Sequence, residues 1–208
     1  CSASKDYTDT IEKRLCEIAV AFDKLSQQIQ TTRFNIIPPS QDYIDFINKT
    51  IDIKKLKSLN ETVIVDSMHG TGGNYVEDFL SGGKIKVKTI RSNIDVTFGG
   101  INPEPMMPQL TPLSKEIVGA CHGMHLHKPA FMGLATDGDA DRVGAMDEKG
   151  EYINTHKILA ILLYYLVEKK KMSGGVVLTF SQSVLVKKMA EKYGFKLYEV
   201  PIGFKHIA

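Results

Sequence analysis

An excess of charge of one sign is lacking in this 208-residue sequence: 26 Lys and Arg stand against 24 Asp and Glu, a net +2. So near-even a balance gives no electrostatic case for a nucleic-acid or membrane-surface partner. Long apolar runs are missing too. The longest, Ile158 to Val167, has ten residues and is closed by Glu168-Lys169-Lys170-Lys171. A membrane span needs about 20, so the run reads as a buried helix. Ser4-Lys5-Asp6-Tyr7 is polar and no apolar h-region follows, so no secretory leader is read. Cysteine is rare as well. Cys1, Cys16 and Cys121 are odd in number and form no C-x-x-C pair, which points to reduced thiols and a cytoplasmic protein. No repeat or low-complexity segment is present. What remains is ordinary globular composition, 43% hydrophobic and 24% charged, which excludes disordered, collagenous and coiled-coil classes. At roughly 150 residues per domain, one to two domains with a sizeable core are expected.

Residues 9 to 30 place Ile11, Leu15, Ile18, Ala19, Phe22, Leu25 and Ile29 at close to helical period. Pro38-Pro39 breaks the pattern, and Tyr43 to Leu59 reads as a second helical stretch. No strand pattern precedes residue 61, so the first sixty residues read as the tail of something larger. From there strands and helices alternate. Thr62 to Asp66, Lys84 to Ile90, Phe131 to Thr136, Val176 to Phe180 and Phe195 to Val200 read as strands. Arg142 to Asp147 and Glu151 to Ile153 read as a hairpin around Glu148-Lys149-Gly150. Helices are expected at 74–80, 113–121, 155–171 and 183–193. This predicts layered α/β domains with mixed, largely parallel sheets. Leu159, Leu162, Leu163 and Leu166 are expected to form a core face.

The sharpest feature is Thr136-Asp137-Gly138-Asp139-Ala140-Asp141-Arg142. Alternate residues of an extended loop point the same way, so the three carboxylates can converge. At that distance they repel unless a cation neutralises them. Carboxylate oxygens suit hard divalent ions, and few ligands plus retained water favour Mg²⁺ over Ca²⁺. Arg142 adds a planar fork suited to phosphate. An EF-hand also begins D-x-D-x-D, but its sixth position needs Gly and here holds Arg142, and the flanks read as strands. A haloacid-dehalogenase-type phosphatase, with Asp137 as nucleophile, stays open as an alternative, and so does a stand-alone metal-binding or interaction module. Two weaker features read as local structure. Gly70-Thr71-Gly72-Gly73 is a tight strand-to-helix turn rather than a phosphate cradle, and Cys121 to His127 is a loop with scattered histidines rather than a zinc site.

The carboxylate loop, with Asp147-Glu148-Lys149-Gly150 after it, resembles the metal loop of the α-D-phosphohexomutases, the phosphoglucomutases and phosphomannomutases. Three further stretches match that family in order: Asp66-Ser67-Met68-His69-Gly70-Thr71-Gly72, then Phe98-Gly99-Gly100 with Pro103-Glu104-Pro105, then Val200-Pro201-Ile202-Gly203-Phe204-Lys205. The resemblance implies a four-domain enzyme that moves a phosphoryl group between O1 and O6 of a hexose phosphate, through a phosphoserine and a bisphosphate intermediate. It implies Mg²⁺ on Asp137, Asp139 and Asp141, Arg142 steadying the transferring group, and Lys205 with Gly203 contacting substrate. The family's phosphoserine motif does not occur in these residues. The resemblance therefore divides the chain into a helical remnant of domain one with its linker (1–60), domain two (61–154) and the first half of domain three (155–208). Hexose phosphate and the missing domains of a parent enzyme are the expected partners, and the isolated chain is expected to be inactive.

Overall fold

A computed structural model describes residues 5–25, 39, 41–122, 131–203 and 206–207. The elements run α1 (Lys5–Leu25), α2 (Gln41–Thr50), α3 (Ile53–Ser58), β1 (Thr62–Asp66), α4 (Tyr75–Leu80), β2 (Lys86–Ile90) and α5 (Thr111–His122). They continue with β3 (Phe131–Thr136), β4 (Val143–Met146), β5 (Tyr152–Ile153), α6 (Thr155–Tyr164), β6 (Val176–Thr179), α7 (Val184–Lys192) and β7 (Leu197–Val200).

Five strands form one sheet in the order β2-β1-β3-β4-β5. β1 lies parallel to both β2 and β3, whereas β4 and β5 run antiparallel as the hairpin read from the sequence. β6 and β7 form a separate parallel pair. The fold is thus mixed α/β with largely parallel sheets, as predicted.

The β1 run Thr-Val-Ile-Val-Asp is buried on both faces, which is why it reads as continuous apolar sequence rather than alternation. Ile64 meets Leu113 and Ile117 of α5, with Met68, Leu110, Ala135 and Met146 completing that core. Val63 and Val65 face the other way, toward Ile85, Val76 and Leu80. Gly133 lets α5 close onto β3: a Cβ there would sit 2.6 Å from Ile117 Cδ1. At the edge, β2 exposes Lys86 and Lys88, charges that discourage pairing with another strand.

Two expectations need correction. The stretch from Tyr43 to Leu59 is two helices, because Asp52 leaves helical backbone and caps α3 by accepting from Lys55 N–H at 2.9 Å. The apolar stretch from Ile158 is not wholly buried. Leu159 and Leu163 pack with Ala160, Leu178 and Val186, but Leu162 is 50% and Leu166 39% exposed. Among the described residues, two strands and α7 lie opposite α6, too little surface to cover a helix that is apolar nearly all round. The helix also changes pitch, with a π turn at Tyr165–Lys169.

Candidate metal loop and its neighbours

The carboxyl ends of β1, β2 and β3 lie on one edge of the sheet, since Asp66 pairs with both Ile90 and Ala135. Three loops leave that edge side by side: 67–74, 91–105 and 137–142. A crevice beyond the carboxyl ends of parallel strands is the usual ligand position in such sheets.

The loop after β3 carries Asp137, Asp139 and Asp141, each able to offer an oxygen within 4.8 Å of the others. Among the described residues this is the one such cluster. Asp137 is 1% exposed, while Asp139 and Asp141 face solvent. Arg142 closes the loop on Asp137: its backbone N–H donates to Oδ1 at 3.0 Å and its Nε–H to Oδ2 at 2.8 Å. Ala140 takes a left-handed backbone, φ 62°, which turns the chain back toward β4. Burial alone would push the Asp137 carboxyl up, but the Arg142 N–H groups and a hydrogen bond with Asp141 together hold it below its ordinary range. Asp141 moves the opposite way, raised first by that shared hydrogen bond and next by the charge of Asp139.

Arg142 is held from a second side. Its Nη1 donates to Glu104 Oε1 at 3.0 Å, and Glu104 then Asp137 raise its own pKa, so its charge is fixed. A cleft of about 240 Å³ opens beside it, lined by Glu104, Met106, Arg142, Tyr152 and Thr155 among others. Gly144 on β4 admits the Glu104 segment, since a Cβ there would lie 2.4 Å from the Pro105 carbonyl oxygen.

The four residues expected around the metal are therefore brought together. Gly203, with φ 126°, lies past β7 on the second sheet. Lys205 falls outside the described residues, as do 123–130, which hold most of the histidine-rich stretch. The glycine turn after β1 behaves as a tight turn. Thr71 N–H is taken by Gly138 O at 3.0 Å, and α4 begins only at Tyr75. Both flanks of the carboxylate loop are strands, which disposes of the EF-hand. Sequence reading gave no role to Glu104, Asp66, Arg91 or Asp95. Glu104 and Asp66 stood inside quoted motifs, but nothing in the sequence pairs either with an arginine.

Two family models match this chain: phosphoglucomutase/phosphomannomutase alpha/beta/alpha domain II over residues 41–150, and domain III over residues 154–208. The chain belongs to the phosphoglucomutase/phosphomannomutase family. Phosphoglucosamine mutase of Methanococcus vannielii is 30% identical over 166 residues, covering 80% of this chain and 35% of that protein. Phosphopentomutase of Thermococcus kodakarensis is 28% identical over 162 residues, covering 78% and 34%. Among solved structures, a candidate phosphomannomutase of Thermus thermophilus superposes with TM-score 0.69 at 31% identity, over 79% of this chain and 36% of that one. This phosphohexomutase chain thus spans about a third of the length of the relatives it matches. Among the described residues, no helix is long and apolar enough to cross a membrane.

Proposed function

We propose that this chain is the metal-loop portion of a phosphohexomutase, an enzyme exchanging a phosphoryl group between two oxygens of a hexose phosphate. The observation that carries the reading is the convergence of Asp137, Asp139 and Asp141 oxygens within 4.8 Å, on the domain II match of that family. An all-carboxylate donor set with two members open to water fits a hard divalent ion that keeps some of its water, hence Mg²⁺. When bound, Mg²⁺ would offset charge on the phosphoryl group as it moves between oxygens.

The chain's own residues would do the rest by position. Asp137 is fixed before any ligand arrives, since both its oxygens already accept from Arg142. Arg142 is half exposed, and its Nη2 donates no hydrogen bond among the described residues. That edge of the fork is left for phosphoryl oxygens. Gly203 and Lys205 would contact the sugar phosphate. β6 and β7 are parallel, so the turns at 180–183 and from Pro201 onward leave the second sheet at one edge. We place the domain limits at 60/61 and 154/155; the latter falls between β5 and α6, and the domain II model reaches back before the former, to residue 41. Nucleophile and distal phosphate clamp would come from the rest of a parent enzyme, so this chain alone would not turn over.

The test is a parent enzyme of full family length. It should interconvert hexose 1- and 6-phosphates only with a divalent ion, and Asp139→Asn should abolish turnover. The phosphatase alternative draws no support from the family models, both of which are phosphoglucomutase/phosphomannomutase domains. Metal- and fluoride-sensitive hydrolysis of an aryl phosphate by this chain would revive it.

A further inference from the structure

Asp66, at the end of β1, is fully buried and meets Arg91, at the end of β2, in a two-pronged pair. Arg91 Nε–H donates to Oδ1 at 2.8 Å and Nη2–H to Oδ2 at 2.5 Å; Nη2 also reaches Gln109 O at 3.0 Å. Asp66 Oδ1 further accepts Met68 N–H at 3.0 Å. Around this pair the backbone is forced: Met68, His69 and Arg91 all have positive φ, at 46°, 61° and 48°. With Phe98 and Ala140, five of the six non-glycine residues of positive φ among the described residues sit at this edge of the sheet. Such conformations are strained and persist only where surrounding structure imposes them.

The contacts run onward from the pair to the carboxylate loop. His69 N–H donates to Arg91 O at 2.8 Å, and Asp95 N–H to His69 O at 3.1 Å. The Asp95 carboxylate then accepts from Thr97 and Gly99, which seats the Phe98 turn. Two elements so anchored bear on Gly138, the residue between Asp137 and Asp139. Thr71 N–H donates to its carbonyl, and Gly70 lies so close that a Cβ would be 2.5 Å from that oxygen. From the other side, a Cβ on Gly138 would lie 3.0 Å from the Phe98 ring.

We propose that Arg91, by its two-pronged hold on Asp66, is a positioning residue for the carboxylate loop, setting the spacing of Asp137 and Asp139 through the turns that grip Gly138. The inference rests on the metal reading given under Proposed function. It assigns the strained edge a purpose: a loop of like charges is kept in its binding shape before the cation arrives. Groups that orient metal ligands typically alter metal affinity about 10–100-fold when removed.

Mn²⁺ is the probe. In the wild-type chain, amide hydrogen exchange at His69 should slow on adding Mn²⁺, along with that at Arg142, because coupling between two sites is reciprocal. Arg91→Lys, which keeps the charge but loses the fork, should raise the Mn²⁺ dissociation constant about tenfold, the low end of that range. Gly70→Ala, which touches neither partner of the pair, should do likewise. Wild-type Mn²⁺ affinity in a folded Arg91→Lys or Gly70→Ala chain of lowered melting temperature would overturn the proposal, leaving the pair a brace of the fold only. An unchanged His69 exchange rate on Mn²⁺ binding overturns it without any variant. Failure of the metal reading itself looks different: Mn²⁺ binding that is absent, or indifferent to Asp139→Asn.

Discussion

Arg142 grips Asp137 with two donors, one from its backbone and one from its guanidinium, at 3.0 and 2.8 Å. The loop between them is thereby closed at its neck. Asp139 and Asp141 are left projecting from a ring whose base is buried. A carboxylate with no exposed surface is retained at the base because every charge-bearing oxygen has a donor. The exposed pair is held more loosely, Asp141 reaching Arg142 Nε only at 3.5 Å, and the contrast governs how the loop should respond to pH and to cations.

The two carboxylates respond to acid in opposite senses. Asp137 lies below its ordinary value of 3.8, so its contribution to stability is present above 3.8 and is lost only as pH falls through its lower folded value. Asp141 lies above 3.8, so in the metal-free fold its ionised form opposes folding, and protonation relieves it. Asp141→Asn should therefore melt at a higher temperature than wild type in chelator at neutral pH. With excess Mg²⁺ the order should reverse. Calorimetry in the two buffers reads both. Metal affinity should begin to fall above pH 3.8 as Asp141 takes up its proton, with proton release on binding in that window.

Gly144 holds the Glu104 segment against the sheet through a close approach to the Pro105 carbonyl. Gly144→Ala drives a methyl group into backbone, which cannot move as a side-chain tip can. Overpacking of this kind costs about 1–3 kcal/mol, visible as a lower urea midpoint. The Glu104–Arg142 bond should go with it, and Glu104→Ala should remove that bond with a smaller loss of stability, since the pair is exposed.

Removing one partner of a buried ion pair leaves the other uncompensated. Asp66→Ala should destabilise the fold by about 3–5 kcal/mol, more than removal of an exposed pair such as Lys88–Glu116, expected to cost about 0–1 kcal/mol. Ile117→Ala, in the α5 core over Gly133, should cost about 2–5 kcal/mol. Denaturant unfolding separates the two buried changes from loss of the exposed pair.

The strands and the carboxylate loop were legible because each is written locally. β1, β3 and β6 are short apolar runs between turn residues, and D-x-D-x-D carries its convergence in its spacing. The contacts that hold the loop were not legible. Arg91 and Asp66 are 25 residues apart, and Arg142 and Glu104 are 38 apart. Nothing in either segment marks its partner; only the parallel register of β1 with β2, and the close approach of the Glu104 segment to Gly144 on β4, bring them together. The exposure of Leu162 and Leu166 was misread for a related reason. An apolar helix declares that it can be buried, but what lies opposite depends on the sheet it meets.

Turnover follows from what these residues supply. They include the metal loop and Arg142 but no recognised nucleophile. This chain should give no measurable interconversion of glucose 1-phosphate and glucose 6-phosphate at any Mg²⁺ concentration. In a parent enzyme of full family length, Asp137→Ala should lower kcat by about 100-fold or more, as loss of an electrostatic stabiliser does. A coupled assay reads both.

The account's central claim is that Asp137, Asp139 and Asp141 hold a divalent cation. Titrating Mn²⁺ into this chain by isothermal calorimetry tests it most directly. One ion should bind per chain, abolished by Asp139→Asn, and the melting temperature should climb with Mn²⁺ as mass action adds about 2.7 kcal/mol of stability at a hundredfold excess over Kd. Binding of the same strength in Asp139→Asn, or none in the wild type, would contradict it.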